Sequence, residues 1–410
     1  MTPAPTPRTE PFSVLAKPSG PACNLRCTYC FYLEKKEAFG PASGTRMQDD
    51  TLEAFVRDYI HAQDAPEVTF GWQGGEPTLR GLDFFRRVVE LQRRHADGRK
   101  ISNALQTNGV LLDAEWAQFL AEHDFLVGVS VDGPAHLHDD YRTDAAGQGS
   151  HERVLRGLEL LKSHGVDFNT LTVVNRANAK RPLEVYRHLT DIGSRFIQFI
   201  PLVERVSAAG GLAGPPGPHA DRDARVTSWS VSPVAYGDFL IAIYRKWLQH
   251  DVGRVFVQMF DHALGSWAGA GAGLCVFAET CGRQLVVEHD GSTYACDHYV
   301  YPQYRLGNLR QTSFAEMLDS PAQQRFGSAK RDALPAQCRR CEFRFACNGG
   351  CPKHRFLQTA DGEPGLNYLC AGYRSFFRFA DPSMRAMTRL LQQGRPPAEI
   401  MRSPQAVKAR

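Results

Sequence analysis

Eleven cysteines divide this 410-residue chain into two unequal groups. Cys23, Cys27 and Cys30 lie within eight residues of one another, and no further cysteine occurs until Cys275. The other eight are Cys275, Cys281, Cys296, Cys338, Cys341, Cys347, Cys351 and Cys370. Such a chain takes its order from disulfides or from metal. The N-terminus (MTPAPTPRTEP) lacks the apolar core of a signal peptide, and no apolar run reaches the length of a membrane span, so the expectation is a cytoplasmic chain with no membrane partner. Thiols stay reduced there, and cysteines clustered at short spacings then read as metal ligands.

The stretch between the two groups is patterned as ordinary globular protein. With 43% hydrophobic and 22% charged residues and a formal charge of +4, fibrous and wholly disordered classes are excluded, and no basic footprint for nucleic acid is present. Apolar runs alternate with helical periodicity: FSVLAKP, EVTFGWQ, ISNALQT, FLVGVSV, DFNTLTVVN and RFIQFIP read as strands. Helical patterns such as DDTLEAFVRDYIHAQ and LDFFRRVVELQRRHA separate them. Six strands joined by helices imply an α/β fold, a parallel partial (β/α)6 barrel. The expected organisation is a disordered N-terminus (1–11), the partial barrel (12–203), a Gly/Pro-rich loop (204–232) and a helical connection (233–274). A small Cys-rich domain (275–380), held by metal more than by core, and a C-terminal helix and tail (381–410) complete it.

Cys23, Cys27 and Cys30 form CxxxCxxC in a loop just after the first strand, where parallel α/β sheets carry their catalytic groups. Three thiolates leave one iron of a four-iron cluster open to a small molecule; by spacing alone, a three-cysteine zinc site completed by a distant histidine would serve equally. CNLRCTYC resembles the signature of the radical S-adenosylmethionine (SAM) superfamily. The resemblance implies that the open iron chelates SAM and that Tyr29 borders the adenine. Gly74, Gly75, Glu76 and Pro77, one unit downstream, resemble the family's GGEP motif, whose backbone meets the methionyl amine. Ser130 and Arg142 match positions that hold the SAM carboxylate and ribose, their plain alternatives being a capping serine and a surface arginine. Leu202, after the sixth strand, matches a further cofactor contact or belongs to the core.

The eight later cysteines make two sets of four. The block CxxCxxxxxCxxxC from Cys338 to Cys351, followed by Cys370, resembles the SPASM extension of radical SAM enzymes, which binds two auxiliary 4Fe-4S clusters. That resemblance assigns Cys275, Cys281, Cys296 and Cys351 to one cluster and Cys338, Cys341, Cys347 and Cys370 to the other. The total implied is three 4Fe-4S clusters, the two auxiliary ones closed and suited to electron transfer. Two structural Cys₄ zinc sites satisfy the same spacing.

FYLEK after Cys30, WQGGEPTL, QTNG, SVDGP, FIPLVER, CDHYVYP and NGGCPKHRF together resemble anaerobic sulfatase-maturating enzymes. That family oxidises a cysteine or serine of an unfolded or nascent sulfatase polypeptide to Cα-formylglycine, with flavodoxin or ferredoxin as electron donor. Reductive cleavage of SAM gives a 5′-deoxyadenosyl radical that takes a hydrogen atom from the substrate Cβ. Asp297, next to Cys296, stands at the position of the family's catalytic base; its plain alternative is a turn cap. An ordinary Asp is a weak base, so burial is expected to raise its pKa. Tyr32 matches a tyrosine near the substrate or is a core aromatic, while His136, His138, His298 and His354 are read as hydrogen-bonding or solvated groups. The rival within the superfamily is a SPASM enzyme forming thioether or carbon-carbon bonds in another ribosomal peptide. Only about 22 residues precede Cys23, too few for a peptide-binding domain, which favours the maturase reading. A zinc-dependent scaffold is the rival from another class.

Overall fold

A computed structural model describes residues 11–32, 35, 46–208, 210–217, 221 and 223–403. Apart from Pro11, the N-terminal segment expected to be disordered lies outside the described residues, as do residues 404–410.

The six strands follow the apolar runs: β1 (Ser13–Lys17), β2 (Glu67–Trp72), β3 (Lys100–Thr107), β4 (Phe125–Ser130), β5 (Phe168–Val174) and β6 (Phe196–Pro201). Between them run α1 (Asp49–His61), α2 (Leu82–His95), α3 (Ala114–Glu122), α4 (His151–Ser163) and α5 (Pro182–Asp191). Each strand pairs in parallel with the next. Helix starts are set locally, as where the Asp113 carboxylate accepts the Trp116 amide at 2.9 Å. The helical layer buries Phe55, Tyr59 and Phe85 against Phe70 and Trp72 of β2.

The segment 204–232 contains a two-residue hairpin, β7 (Arg205–Val206) with β8 (Arg225–Val226). Beyond it come α6 (Pro233–His250), β9 (Phe256–Val257) and α7 (Gln258–Trp267). The Cys-rich region supplies β10 (Gln284–Glu288), β11 (Ser292–Tyr294), β12 (Arg305–Asn308), α8 (Pro321–Asp332) and α9 (Cys370–Gln392). One helix therefore crosses the expected boundary at residue 380. Within the expected tail, residues Pro397–Arg402 form a 3₁₀ turn that buries Ile400.

One ten-stranded sheet joins the two halves, in the order β12-β11-β10-β1-β2-β3-β4-β5-β6-β9. β10 lies parallel beside β1, in register from Ser13 opposite Gln284 to Lys17 opposite Glu288. The Cys-rich region is thus an extension of the barrel sheet and not a separate module. Its apolar run Leu285–Val287 is fully buried, which fits a strand covered on both faces. α9 packs on α6 through facing glycines: a Cβ on Gly372 would fall 2.1 Å from the Pro233 carbonyl oxygen. Among the described residues no helix is long and apolar enough to cross a membrane.

Candidate active site and cysteine centres

The loop carrying Cys23, Cys27 and Cys30 leaves the end of β1 and is clamped on two sides. On one side Gly75 donates its amide to the Gly20 carbonyl and Glu76 to that of Ala22, both at 2.8 Å. The approach is so close that a Cβ on Gly75 would lie 2.0 Å from the Ala22 oxygen. Gly74 adopts φ 144°, a conformation that favours glycine. On the other side Arg26 and Thr28 donate amides to the Thr143 and Tyr141 carbonyls, at 2.7 and 3.0 Å. Asn108 of the QTNG segment hydrogen-bonds Asn24 at 2.7 Å. Burial, above all, pushes the Cys23 thiol up to about 12 and the Cys27 thiol up to about 11, with the neighbouring thiols adding to the rise.

The residues expected to contact SAM also hold one another and the surrounding turns in place. The Glu76 carboxylate is wholly buried and accepts from Thr78, Thr107 and the Asn108 amide; it ties the GGEP turn to the end of β3. Arg142 is not the surface arginine of the plain reading. It is 7% exposed and pairs through Nε (2.9 Å) and Nη2 (3.2 Å) with Asp132, itself fully buried. The Tyr29 hydroxyl donates to the same carboxylate at 2.5 Å. Tyr29 and Arg142 are thus brought together by a residue the sequence reading quoted inside SVDGP without singling out. Ser130, at the end of β4, accepts a hydrogen bond from Gln106 at 3.3 Å. Leu202 is buried at 6% exposure, and its amide donates to the Val174 carbonyl.

The eight later thiols fall into two neighbourhoods. Cys281 and Cys296 each feel the like charge of Cys275 and Cys351, and Cys275 that of Cys351. Cys347 likewise feels Cys338, Cys341 and Cys370. Burial leads in raising the thiols of Cys281 and Cys338 to about 11 and that of Cys347 to about 12. Among the described residues no three His, Cys, Asp or Glu side chains converge on a point where one metal ion could sit. As all-thiol sets of three, four and four, the donors fit one four-iron cluster with an open iron and two closed ones. Two buried cations missed by the sequence reading stand beside them. Lys330 donates to the Cys275 carbonyl at 2.6 Å, and Arg355 donates to the Gly349, Gly350 and Asn348 carbonyls.

Asp297 corrects an expectation. Burial pushes its carboxyl up, but Lys17, then His298, pull it down, and the net position is below the ordinary range. Lys17, 1% exposed, forms the ion pair with Asp297 Oδ1, and its Nζ lies 3.8 Å from the centroid of the Tyr32 ring. Tyr32 in turn donates its hydroxyl to the buried Glu288, at 2.5 and 2.6 Å. His298, which burial pushes down to about 4, faces Phe31. It lines a cavity of about 200 Å³ with Phe31, Glu204, Arg205, Tyr301 and Lys353. Lys353 pairs with Glu204 at 2.5 Å. Only adjacency to Cys296 could flag Asp297 in the sequence; Lys17 gave no signal beyond a charged residue ending an apolar strand.

Comparison with known proteins follows the same division of the chain. The Radical SAM superfamily matches residues 18–189, and the SPASM iron-sulfur cluster-binding domain matches residues 275–342. A serine-type anaerobic sulfatase-maturating enzyme from Bacteroides thetaiotaomicron is 44% identical over 97% of this chain and 96% of its own. A cysteine-type enzyme from Clostridium perfringens is 35% identical over 91% of this chain and 97% of its own. The solved structure of native anSMEcpe with bound AdoMet and Cp18Cys peptide superposes with a TM-score of 0.81. It is 34% identical and covers 93% of this chain and 99% of that one.

Proposed function

This chain belongs to the anaerobic sulfatase-maturating enzymes of the radical SAM superfamily, and from that membership we propose how its own residues divide the work. The enzyme oxidises a cysteine or serine of a sulfatase polypeptide to Cα-formylglycine. It uses SAM and iron-sulfur clusters. When bound, these cofactors supply a carbon radical that removes a hydrogen atom from the substrate Cβ.

Cys23, Cys27 and Cys30 hold the catalytic cluster and leave its fourth iron for SAM. Gly74 and Gly75 let the backbone approach the methionyl end, Tyr29 borders the adenine, and Ser130, Arg142 and Leu202 line the rest of the SAM site. Glu76 acts one step back, fixing the turn. Cys275, Cys281, Cys296 and Cys351 hold one auxiliary cluster and Cys338, Cys341, Cys347 and Cys370 the other, with Lys330 and Arg355 offsetting their negative charge. Asp297 accepts the proton that leaves the substrate thiol or hydroxyl as the substrate radical gives up its electron. A carboxylate held ionised by Lys17 is ready for that transfer, because loss of the electron makes the proton acidic. For a cysteine substrate, water then adds to the thioaldehyde carbon and the sulfur leaves as hydrogen sulfide, giving formylglycine.

The electron donor is a flavodoxin or ferredoxin. Arg340, Arg344 and Arg374 line the opening over Cys338, Cys341 and Cys370 and have no carboxylate partner among the described residues, a charge complement for an acidic protein. Eleven thiols used as ligands must stay reduced before assembly, which favours a cytoplasmic location.

The observation that carries the site assignment is the grouping of eleven thiols into sets of three, four and four. Iron and acid-labile sulfide analysis of anaerobically reconstituted protein tests it. About twelve iron atoms per chain are expected for three four-iron clusters; about two zinc ions and no auxiliary iron would overturn the assignment.

A further inference from the structure

We infer that Lys17 is a positioning residue for Asp297, fixing its carboxylate where the substrate proton departs. The inference rests on the reading of Asp297 as proton acceptor and goes beyond it in saying what aims that acceptor. Asp297 opens a 3₁₀ turn directly after a cysteine, so the backbone alone leaves its side-chain torsions to be set by neighbours. Lys17 supplies that constraint. It is 1% exposed, and burying an ammonium is unfavourable unless an anion stands against it.

The arrangement is built by the sheet. Register places Lys17 of β1 beside Glu288 of β10. Glu288 is fully buried and takes the Tyr32 hydroxyl with both carboxylate oxygens. That bond holds the Tyr32 ring, the ring lies against the Lys17 ammonium, and the ammonium holds Asp297. Lys353, the other lysine acting on Asp297, is committed to Glu204. A strand from each half of the protein thus cooperates in aiming one carboxylate.

The step concerned follows hydrogen-atom removal. The substrate radical loses the thiol or hydroxyl proton to Asp297 and one electron, which the cluster that Cys296 would help to hold would accept, while the carbon-sulfur or carbon-oxygen single bond becomes double. Hydrogen-atom removal itself does not use Asp297. Losing Lys17 therefore separates the two events.

The test compares Lys17→Met, Lys17→Arg, Asp297→Asn and Lys17→Met/Asp297→Asn as full-length reconstituted proteins matched for iron. 5′-Deoxyadenosine and formylglycine are counted in the same reaction on a substrate peptide deuterated at Cβ. Lys17→Met is expected to form deuterated 5′-deoxyadenosine at near the wild-type rate while formylglycine falls about tenfold or more, the scale of a displaced catalytic group. Lys17→Arg restores coupling, and Lys17→Met adds no further loss in the Asp297→Asn background. The double variant removes both members of the ion pair. Should Lys17→Met fail to hold iron, Lys17→Gln is read by the same ratio. Coupled turnover in the neutral variant, or a parallel fall of both products at full iron content, overturns the inference. If Asp297→Asn itself stays coupled, the proton-acceptor reading fails instead.

Discussion

Gly75→Ala isolates the clamp on the first cysteine loop. The added methyl would sit 2.0 Å from the Ala22 carbonyl oxygen, 2.6 Å from its carbon and 2.8 Å from the Pro21 carbonyl carbon. All three are backbone atoms, so no side chain can swing aside; ordinary contact requires the loop to retreat by about 1.5 Å. That retreat breaks the Gly75-to-Gly20 and Glu76-to-Ala22 hydrogen bonds, both 2.8 Å, at about 1 kcal/mol each. Overpacking adds about 1–3 kcal/mol, so the local cost is about 3–5 kcal/mol. It falls on the residue preceding Cys23. The β10–β11 strands and the two four-thiol sets lie outside the strained segment. Reconstituted Gly75→Ala should therefore fall from about twelve to about eight iron atoms per chain and lose SAM cleavage. Gly265→Ala is the control: its methyl meets nothing within 4 Å, and full iron content is expected. A Gly75→Ala protein with wild-type iron and SAM cleavage would refute the clamp.

Asp132→Asn removes the anion from a buried arrangement in which Arg142, Tyr29 and the Val173 amide all donate to one carboxylate. An unpaired buried guanidinium is left, at a cost of about 3–5 kcal/mol, to be read by chemical denaturation; a loss below about 1 kcal/mol would contradict that geometry. A pH effect is expected from the His151 and His188 rings, whose Nε2 atoms lie 3.1 Å apart. Burial pushes His188 down to about 4 and lowers His151 as well. The unfolded chain takes up these protons near pH 6.5 and the folded one later, so their stabilisation is complete above pH 6.5 and is lost as pH falls towards 4. Allowing for partial exposure of His188, about 1–2 kcal/mol should vanish between pH 7 and pH 5. His188→Gln should shrink the difference between the urea midpoints at the two pH values, other buried histidines such as His138 supplying the rest, and an unchanged difference would rule the pair out as a contributor.

The barrel was legible because its periods are long and regular: runs such as FLVGVSV became β4 and LDFFRRVVELQRRHA became α2. The cysteine sets were legible because ligand spacing is written in the chain. Partners across the sheet were not. RQLVVEHDG reads as a short strand, yet nothing in it says that it pairs with β1 and carries Glu288 to Lys17. Arg142 shows the same limit: the sequence displays the donor but not that Asp132 occupies it. The direction of the Asp297 shift was misjudged for that reason, since burial could be anticipated and the lysine supplied by another strand could not. Order in residues 397–402 was hidden by the Gln-, Gly-, Arg- and Pro-rich stretch QQGRPP that leads into them, although one side chain, Ile400, anchors them.

The most direct measurement gives the reduced, reconstituted chain and SAM two sulfatase-motif peptides that differ only in cysteine or serine at the target position. The products are weighed and trapped through their aldehyde. The account predicts formylglycine from at least one peptide, with 5′-deoxyadenosine released in step. Consumption of SAM with no aldehyde on either peptide would contradict it.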